Sequence, residues 1–176
     1  PTPKNVDVLL ELGAAQYQFV LAPLPKNDSI KTTAAREQVE ATYAALLAVD
    51  PKNGFAKNGL AWVAVFVKDD ETAVKRFAES LLFEPTLEDS YVQLAQLLAG
   101  SLEDRKRHVD LLDRVVNSII GGDTVTKRTR ALALYHRGIA RGVAGELEGL
   151  RKDFAECVRL AEDFKVGCSF QEGRAL

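Results

Sequence analysis

The residues whose side chains could perform catalysis are few and scattered along the chain. His108 and His136 are the only histidines, and neither has a second ligand at the spacing of a metal site. Cys157 and Cys168 lie eleven positions apart without a further Cys or His pair, which argues against a zinc site and a disulfide framework. We expect His108, within Arg105-Lys106-Arg107-His108, to lie on a polar helix face, and both histidines to be surface or groove-lining rather than catalytic.

Glycines and carboxylates give no active-site motif either. The pattern Gly138-Ile139-Ala140-Arg141-Gly142 lies within a predicted helix rather than after a strand, so it does not form the phosphate-binding turn of a dinucleotide-binding fold. Acidic and basic residues alternate along the last predicted helix, as on a solvated face. These residues are Glu146, Glu148, Arg151, Lys152, Asp153 and Glu156. The sequence therefore predicts that the chain is not an enzyme and has no cofactor or metal ion.

Composition and charge exclude two further classes of partner. The 176 residues are 47% hydrophobic and 27% charged, which is enough for one domain or a short array of repeats with a continuous core. The 23 basic and 25 acidic residues are mixed along the chain, without the basic stripe that binds nucleic acid. Apolar runs such as 60–67 are far shorter than the roughly 20 residues that span a bilayer. We therefore predict no nucleic-acid partner and no membrane span.

Cysteine usage and the first residues of the chain both bear on the cellular compartment of the protein. Two cysteines without a disulfide framework favour a reducing, intracellular setting, with the cytoplasm as the first choice. The chain begins Pro1-Thr2-Pro3-Lys4 and contains no Met, which indicates a processed chain or a fragment from which a targeting signal could have been removed.

Hydrophobic periodicity predicts an all-α chain. After Glu71, for example, Ala73, Val74, Phe77, Ala78, Leu81 and Leu82 fall at the spacing of one helical face. No segment shows the alternation that a strand requires. The predicted helices are 6–20, 32–49, 54–67, 71–83, 87–98, 102–120, 125–143 and 147–164.

Helix ends are marked by proline, glycine and capping residues. Asp50-Pro51 and Glu84-Pro85 end helices because proline lacks the amide hydrogen and restricts the preceding residue. Ser101 and Asp104 resemble a capping box, and 121–124 provide a glycine stop followed by a new cap. Residues 23–28 are predicted to form a long connecting loop.

An internal period in the sequence indicates that these helices form repeats. Pro51 and Pro85 lie 34 residues apart, which is the length of the tetratricopeptide repeat. Between them the sequence has the pattern of small, apolar and aromatic residues that this family uses, and the chain resembles the family on these residues. They are Leu60, Ala61 and Ala64 in the first helix, and Ala73, Phe77 and Ser80 in the second.

The same frame extends along nearly the whole chain. The resemblance implies a single domain over 1–176, a right-handed superhelical stack of about four helix pairs, with repeats at 6–51, 54–85, 88–120 and 125–163 and a tail at 164–176. The third repeat matches in its first helix, and the first contains an insertion of 14 residues around 22–36. The matching residues are Leu9, Leu12, Gly13, Tyr43 and Leu46 in the first repeat, Tyr91, Leu94, Ala95 and Leu98 in the third, and Leu134, Gly138, Gly145, Phe154 and Cys157 in the fourth.

Packing explains why such a pattern recurs. Small residues such as Ala61, Ala73 and Gly138 let two helices approach closely, and Tyr43, Phe77 or Phe154 fills the space between helices. Cys157 is accordingly interpreted as a buried filler rather than a reactive thiol.

The family resemblance also implies a concave groove lined by the first helix of each pair. Large aromatic side chains there would anchor a partner. The predicted partner-binding residues are Leu10, Tyr17, Phe55, Asn58, Trp62, Phe66, Val92, Gln96, Tyr135 and Ile139, accompanied by Asp7, Ala14, Asp89 and Leu132. Some relatives bind chaperone tails through lysines, asparagines and arginines in this groove, but here the lysines are replaced by largely apolar residues, so that function is not expected.

Three functions remain open. The first is a scaffold or adaptor that binds a peptide or helical segment of a protein in an apolar groove, within a larger assembly. The second is a structural or self-associating protein whose groove is filled by its own tail or a neighbouring chain, including a homo-oligomer. The third, an enzyme built on a helical solenoid, has no active residues that we can name.

Overall fold

The computed structural model describes residues 5–24, 29–120 and 125–162, and every regular element in these ranges is helical. The prediction of an all-α chain with eight helices is therefore confirmed for the part that is described. The helices are α1 (Val6–Ala15), α2 (Ser29–Val49), α3 (Gly54–Phe66), α4 (Asp70–Phe83), α5 (Glu88–Leu97), α6 (Leu102–Ile120), α7 (Lys127–Ala144) and α8 (Leu147–Glu162).

Helix ends follow the local chemistry that the sequence indicates. The amide of Asp104 donates to Ser101 Oγ (3.1 Å) and the amide of Ser101 donates to Asp104 Oδ2 (3.0 Å), so the capping box before α6 is confirmed. After Pro51, the side chain of Asn53 accepts from the amide of Ala56 (2.9 Å) and begins α3. Residues 25–28 and 121–124, where a loop and a glycine stop were predicted, lie outside the described ranges.

One local feature was not predicted. The first helix continues beyond α1 as a π-helical turn, Gln16–Leu21. Within it Gln16 is buried, and its Oε1 accepts a hydrogen bond of 2.7 Å from Thr42 Oγ1 on α2. The wider turn brings both Gln16 and Leu21 to the packed side of the chain, since Leu21 is also buried.

The contacts divide the chain into two compact units, an N-terminal unit (1–90) and a C-terminal unit (91–176), with the boundary within α5. In the N-terminal unit α1 packs on α2, α2 on α3, and α3 on α4. In the C-terminal unit α7 packs on both α6 and α8. Helices that follow one another in sequence therefore pack together in each unit from α1 to α4 and from α6 to α8, while the pairing of α5 with α6, the single domain and the superhelical stack stay predictions.

Tyr43 holds the N-terminal unit together at one point. Its ring, 3% exposed, lies on α2 between two glycines of neighbouring helices. A Cβ atom at Gly13 on α1 would lie 2.7 Å from the Tyr43 ring, and a Cβ atom at Gly59 on α3 would overlap that ring outright. The helices can approach this closely only because both positions lack side chains.

In the α7–α8 pair, a glycine next to an aromatic ring likewise allows the two helices to approach closely. A Cβ atom at Gly138 would lie 2.5 Å from the ring of Phe154, so the predicted pairing of a small and an aromatic residue is confirmed here. Cys157 is fully buried, and its Sγ donates to the carbonyl oxygen of Ala131 at 3.1 Å. The prediction that Cys157 is a buried filler is also confirmed.

The packing face is narrower than the sequence pattern implied. Leu12, Leu82 and Ala95 were assigned to packing positions, but all three are exposed. Each lies next to a residue that is buried instead: Gly13, Leu81 and Leu94. Adjacent residues are turned about 100° apart on a helix, so only one of the two can point at the partner helix.

Asp153 corrects the prediction of a solvated acidic face on α8. Its side chain is 3% exposed and accepts from Arg137 Nε (2.9 Å), Arg137 Nη2 (2.6 Å) and Arg141 Nη1 (2.9 Å). Both arginines also contact Asp113 Oδ1 on α6, at 3.1 and 2.8 Å. Ion pairing and hydrogen bonding offset much of the desolvation penalty of a buried carboxylate. Here the Asp153 carboxylate and the two arginines connect α6, α7 and α8.

Candidate functional site

The predicted binding residues of α3 share one side of that helix. Phe55, Asn58, Trp62 and Phe66 follow each other at intervals of three or four residues, so they form one stripe. Phe55 is 44% exposed, and the other three are partly buried. The rest of α3 is packed, with Ala56, Gly59, Leu60, Ala61, Val63 and Ala64 buried. We call Phe55, Trp62 and Phe66 the aromatic face of α3.

Trp62 is held in place by the core beneath it. Its ring meets the buried ring of Phe77 edge-on, with centroids 5.8 Å apart and planes at 90°. This geometry is favourable for aromatic pairs. The Trp62 ring is therefore oriented by packing on Phe77 and is partly open to solvent.

Asn58 is the polar residue of the stripe, and a chain of hydrogen bonds fixes it. Its Nδ2 donates to Ser90 Oγ (2.8 Å), Ser90 and Ser80 hydroxyls lie 2.9 Å apart, and Ser80 Oγ donates to the carbonyl oxygen of Phe77 (2.7 Å). Because the Ser80 proton is used by Phe77, the Ser90 hydroxyl must donate to Ser80. The Asn58 amide is thus anchored to two fully buried serines.

The predicted residues of the first helix border the same core as α3. Leu10, Tyr17 and Phe66 all pack against one hydrophobic cluster, which includes Tyr43 and Val63. Burial raises the pKa of the Tyr17 phenol, and burial together with the nearby Tyr17 raises the pKa of Tyr43 to about 12. Leu10, Tyr17 and Phe66 are therefore all partly buried at the edge of one core cluster.

Sequence reasoning missed several exposed apolar residues of the first helix. Phe19 is 71% exposed, and Val8, Leu12 and Val20 of the same segment are also exposed. The signal was present, since 6–21 contains apolar residues at most positions and a helix can bury only one side. The N-terminal unit therefore displays more apolar surface than the predicted stripe.

The remaining predicted residues belong to the C-terminal unit. Val92 and Gln96 are exposed on α5, while Tyr135 and Ile139 are partly buried on α7. Tyr135 stacks on Phe154 with centroids 5.9 Å apart, and it meets His136 edge-on at 5.3 Å. The ten predicted residues are thus divided between two units, six in the first and four in the second.

Neither histidine lies on an exposed polar face: His108 is buried and His136 is partly buried. His108 is only 7% exposed, which corrects the prediction of a surface position, and its Nε2 makes no hydrogen bond within the described residues. His136 stacks on Tyr91 with centroids 4.4 Å apart and planes 4° apart. Burial lowers the pKa of His108 to about 4, and burial together with the nearby His108 does the same for His136.

Acidification should therefore destabilise the C-terminal unit. The histidine pKa is about 4 when folded and 6.5 when unfolded, so protons bind the unfolded state first as the pH falls from about 6.5 to 4. At pH 5 the cost from His108 alone should be about 2 kcal/mol. We expect denaturant unfolding of the H108L/H136F variant to lose less stability between pH 7 and pH 5 than the native sequence. Equal losses would contradict the role of the histidines, because carboxylates contribute alike to both proteins.

The described residues contain neither a candidate metal site nor a helix that could span a membrane. Among residues 5–24, 29–120 and 125–162, no group of three or more His, Cys, Asp and Glu side chains could hold a metal ion. None of the helices in these ranges has both the length and the apolar character needed to cross a bilayer.

Comparison with known proteins adds no relative. Models of known protein families gave no match to the chain, and a search of curated protein sequences found none.

Proposed function

We propose that this chain is a protein-binding scaffold of the tetratricopeptide type, which holds a segment of another protein against the aromatic face of α3. The observation that carries the proposal is the contrast within α3. One side is packed into the core, while Phe55 is 44% exposed and Trp62 and Phe66 remain partly open. Large rings that are already oriented lose little entropy on binding, and such rings dominate interface energetics.

The paired helices support the same proposal. Tyr43 with Gly13 and Gly59, and Phe154 with Gly138, show that small and aromatic residues interlock neighbouring helices at two places. Repeat proteins use such nested hairpins as rigid frames for binding surfaces. Asn58, fixed through Ser90 and Ser80, gives the stripe one oriented polar group among its apolar ones.

A second candidate is self-association, and the exposed apolar residues of the first helix favour it. Phe19 is 71% exposed and Val20 43% exposed, and they follow the predicted binding residue Tyr17 by two and three positions. An apolar surface of this kind is usually covered by another chain or by a second copy. The two candidates differ in the occupant, which is another protein or a second copy, and in the apolar residues that favour it, which lie on α3 or on the first helix.

Replacing Trp62 with alanine tests the scaffold function. We expect W62A to remain folded, with a loss of about 1–2 kcal/mol because the ring is only partly buried, and to lose capture of the partner from native extract in an affinity pull-down. Leu82→Ala is the matched control, since Leu82 is 37% exposed on α4 and outside the stripe.

The outcomes separate the candidates. If the L82A variant loses the partner as completely as W62A, the aromatic face is not the binding surface. If W62A instead unfolds at ordinary temperature, the ring belongs to a permanent core, as the self-association candidate requires. Sedimentation of the native chain and of F19S would then show whether a second copy is the cover.

A further inference from the structure

We infer that the segment bound by the aromatic face of α3 is a basic amphipathic helix, with an apolar side flanked by lysines or arginines. This inference rests on the proposed function and adds the chemistry of the partner. It follows from the charges around the face, from what those charges already contact, and from the hydrogen-bonding groups that the face can offer.

Basic residues are rare on α3, on the first helix, which packs on α3, and at the start of α5, which is hydrogen-bonded to α3 through Asn58 and Ser90. Over 6–21, along α3 and over 88–90, the sequence contains a single basic residue, Lys57. The acidic residues in the parts of these helices that belong to the N-terminal unit are Asp7, Glu11, Glu88 and Asp89, and all four are exposed. Asp89 immediately precedes Ser90, whose hydroxyl holds Asn58 of the stripe.

Lys57 does not offset this negative charge. Its Nζ lies 3.2 Å from Glu79 Oε2 on α4 and 5.5 Å from the centre of the Phe83 ring. Its side chain is only 17% exposed. The ammonium group is thus bound by a carboxylate and an aromatic ring toward α4, and it is not available to a partner on the stripe.

The N-terminal unit as a whole also carries a net negative charge. Residues 1–90 contain thirteen acidic and nine basic residues, a formal charge of −4. The other basic residues of described structure lie on α2, on α4 and in turns. A surface potential of one sign attracts a partner of the opposite sign and rejects a partner of the same sign.

Hydrogen bonding favours a helix over an extended peptide. A bound extended segment needs partners for its backbone N–H and C=O groups, whereas a helix satisfies these internally. The stripe consists of three aromatic rings and Asn58, whose amide group already donates to Ser90. The stripe from Phe55 to Phe66 is about 16 Å long, which matches roughly three turns of a helix with side chains at i, i+4 and i+7.

Fluorescence of Trp62, the only tryptophan, gives a direct test with the full chain. The probes are three synthetic 14-residue peptides: leucines at helical spacing with lysines elsewhere, the same peptide with glutamates for lysines, and a scrambled lysine peptide without an apolar side. We expect the first to shift Trp62 emission and to bind at least about tenfold more tightly than the other two. Its affinity should fall as salt is raised.

Charge reversal locates the effect. D89K should weaken the lysine peptide by about fivefold or more, whereas E37K, the same change of charge on α2, should weaken it less. The variants can be compared by calorimetry. Equal weakening by both would show that only overall charge matters and would overturn the inference.

The peptides also distinguish this inference from the scaffold function. Equal binding of the lysine and glutamate peptides would overturn the basic partner and leave the aromatic face as a binding surface. Binding of none, or equal binding of the scrambled peptide, would also overturn it. The scaffold function itself is tested separately: it fails if W62A retains the partner captured by the native chain, or if L82A loses that partner as completely as W62A.

Discussion

Tyr43→Ala should lower the free energy of unfolding by about 3–5 kcal/mol, as replacement of a large buried ring commonly does. The ring is 3% exposed and fills the space between Gly13 on α1 and Gly59 on α3. Without it, neither glycine supplies a side chain to fill the cavity, so the three helices lose their common contact. Chemical denaturation followed by circular dichroism measures the loss, and Tyr43→Phe, which keeps the ring, should cost about 1 kcal/mol or less.

The steric contact between Tyr43 and Gly59 can be isolated by measuring the effect of Gly59→Ala on stability in two backgrounds, with and without the Tyr43 ring. In the native background Gly59→Ala should destabilise by about 1–3 kcal/mol because its methyl group would overlap the Tyr43 ring. In the Tyr43→Ala background the same change should be neutral or stabilising by up to about 1 kcal/mol, since alanine is the better helix former. A destabilisation of the same size in both backgrounds would show that Tyr43 is not what excludes a side chain at position 59.

Asp153→Ala should lower the stability of the C-terminal unit by about 3–5 kcal/mol, because it leaves two largely enclosed cations without their buried partner. The side chains of Arg137 and Arg141 are 12% and 18% exposed, and the carboxylates that remain are more exposed: Asp113 at 36%, and Glu146, 3.9 Å from Arg141 Nε, at 47%. The cost arises from desolvated guanidinium groups rather than from the lost attraction alone. Urea unfolding of the variant and the native chain gives the difference.

Two comparisons test this explanation of the Asp153 cluster. Asp113→Ala removes an acceptor from the same arginines at a more solvated site, and it should cost about 1 kcal/mol. The triple change R137M/R141M/D153L replaces the charges together, and it should cost less than Asp153→Ala alone. Should Asp113→Ala prove as harmful as Asp153→Ala, burial would not be the source of the effect.

Helix positions could be predicted from the sequence because their signals are local. Asp50-Pro51 ends α2, and Ser101 with Asp104 begins α6, through interactions among residues at most four positions apart. The fit of Gly138 to Phe154 was also predicted, since a repeat frame relates residues of consecutive helices. The contact of Tyr43 with Gly59 was missed because the frame assigned the small position to Ala61 instead.

Burial of polar residues could not be read from the helix pattern. Asp153 lies among charged neighbours and was assigned to a solvated face, although it is buried against Arg137 and Arg141 of the preceding helix. The available signal was the spacing of those two arginines by four residues, which places them on one side of α7. His108 was misplaced similarly, because three basic neighbours in sequence face other directions on the helix.

The candidate site was predicted more securely along α3 than elsewhere. The intervals between Phe55, Asn58, Trp62 and Phe66 place them on one stripe whatever the neighbouring helices do. The continuation through Val92, Gln96, Tyr135 and Ile139 required a long-range arrangement of helix pairs. A repeat frame implies that arrangement, but it depends on packing between pairs rather than on spacing within one helix.

The thiol of Cys157 can report how often helices α7 and α8 of the C-terminal unit separate. Its thiol is fully enclosed and bonded to the carbonyl group of Ala131 on the facing helix, so a water-borne thiol reagent can reach it only when α7 and α8 separate. In a chain with Cys168 replaced by serine, the labelling rate would therefore report how often this helix pair opens. The sulfur atom that fills the interior of the unit would thus serve as a probe of its transient opening.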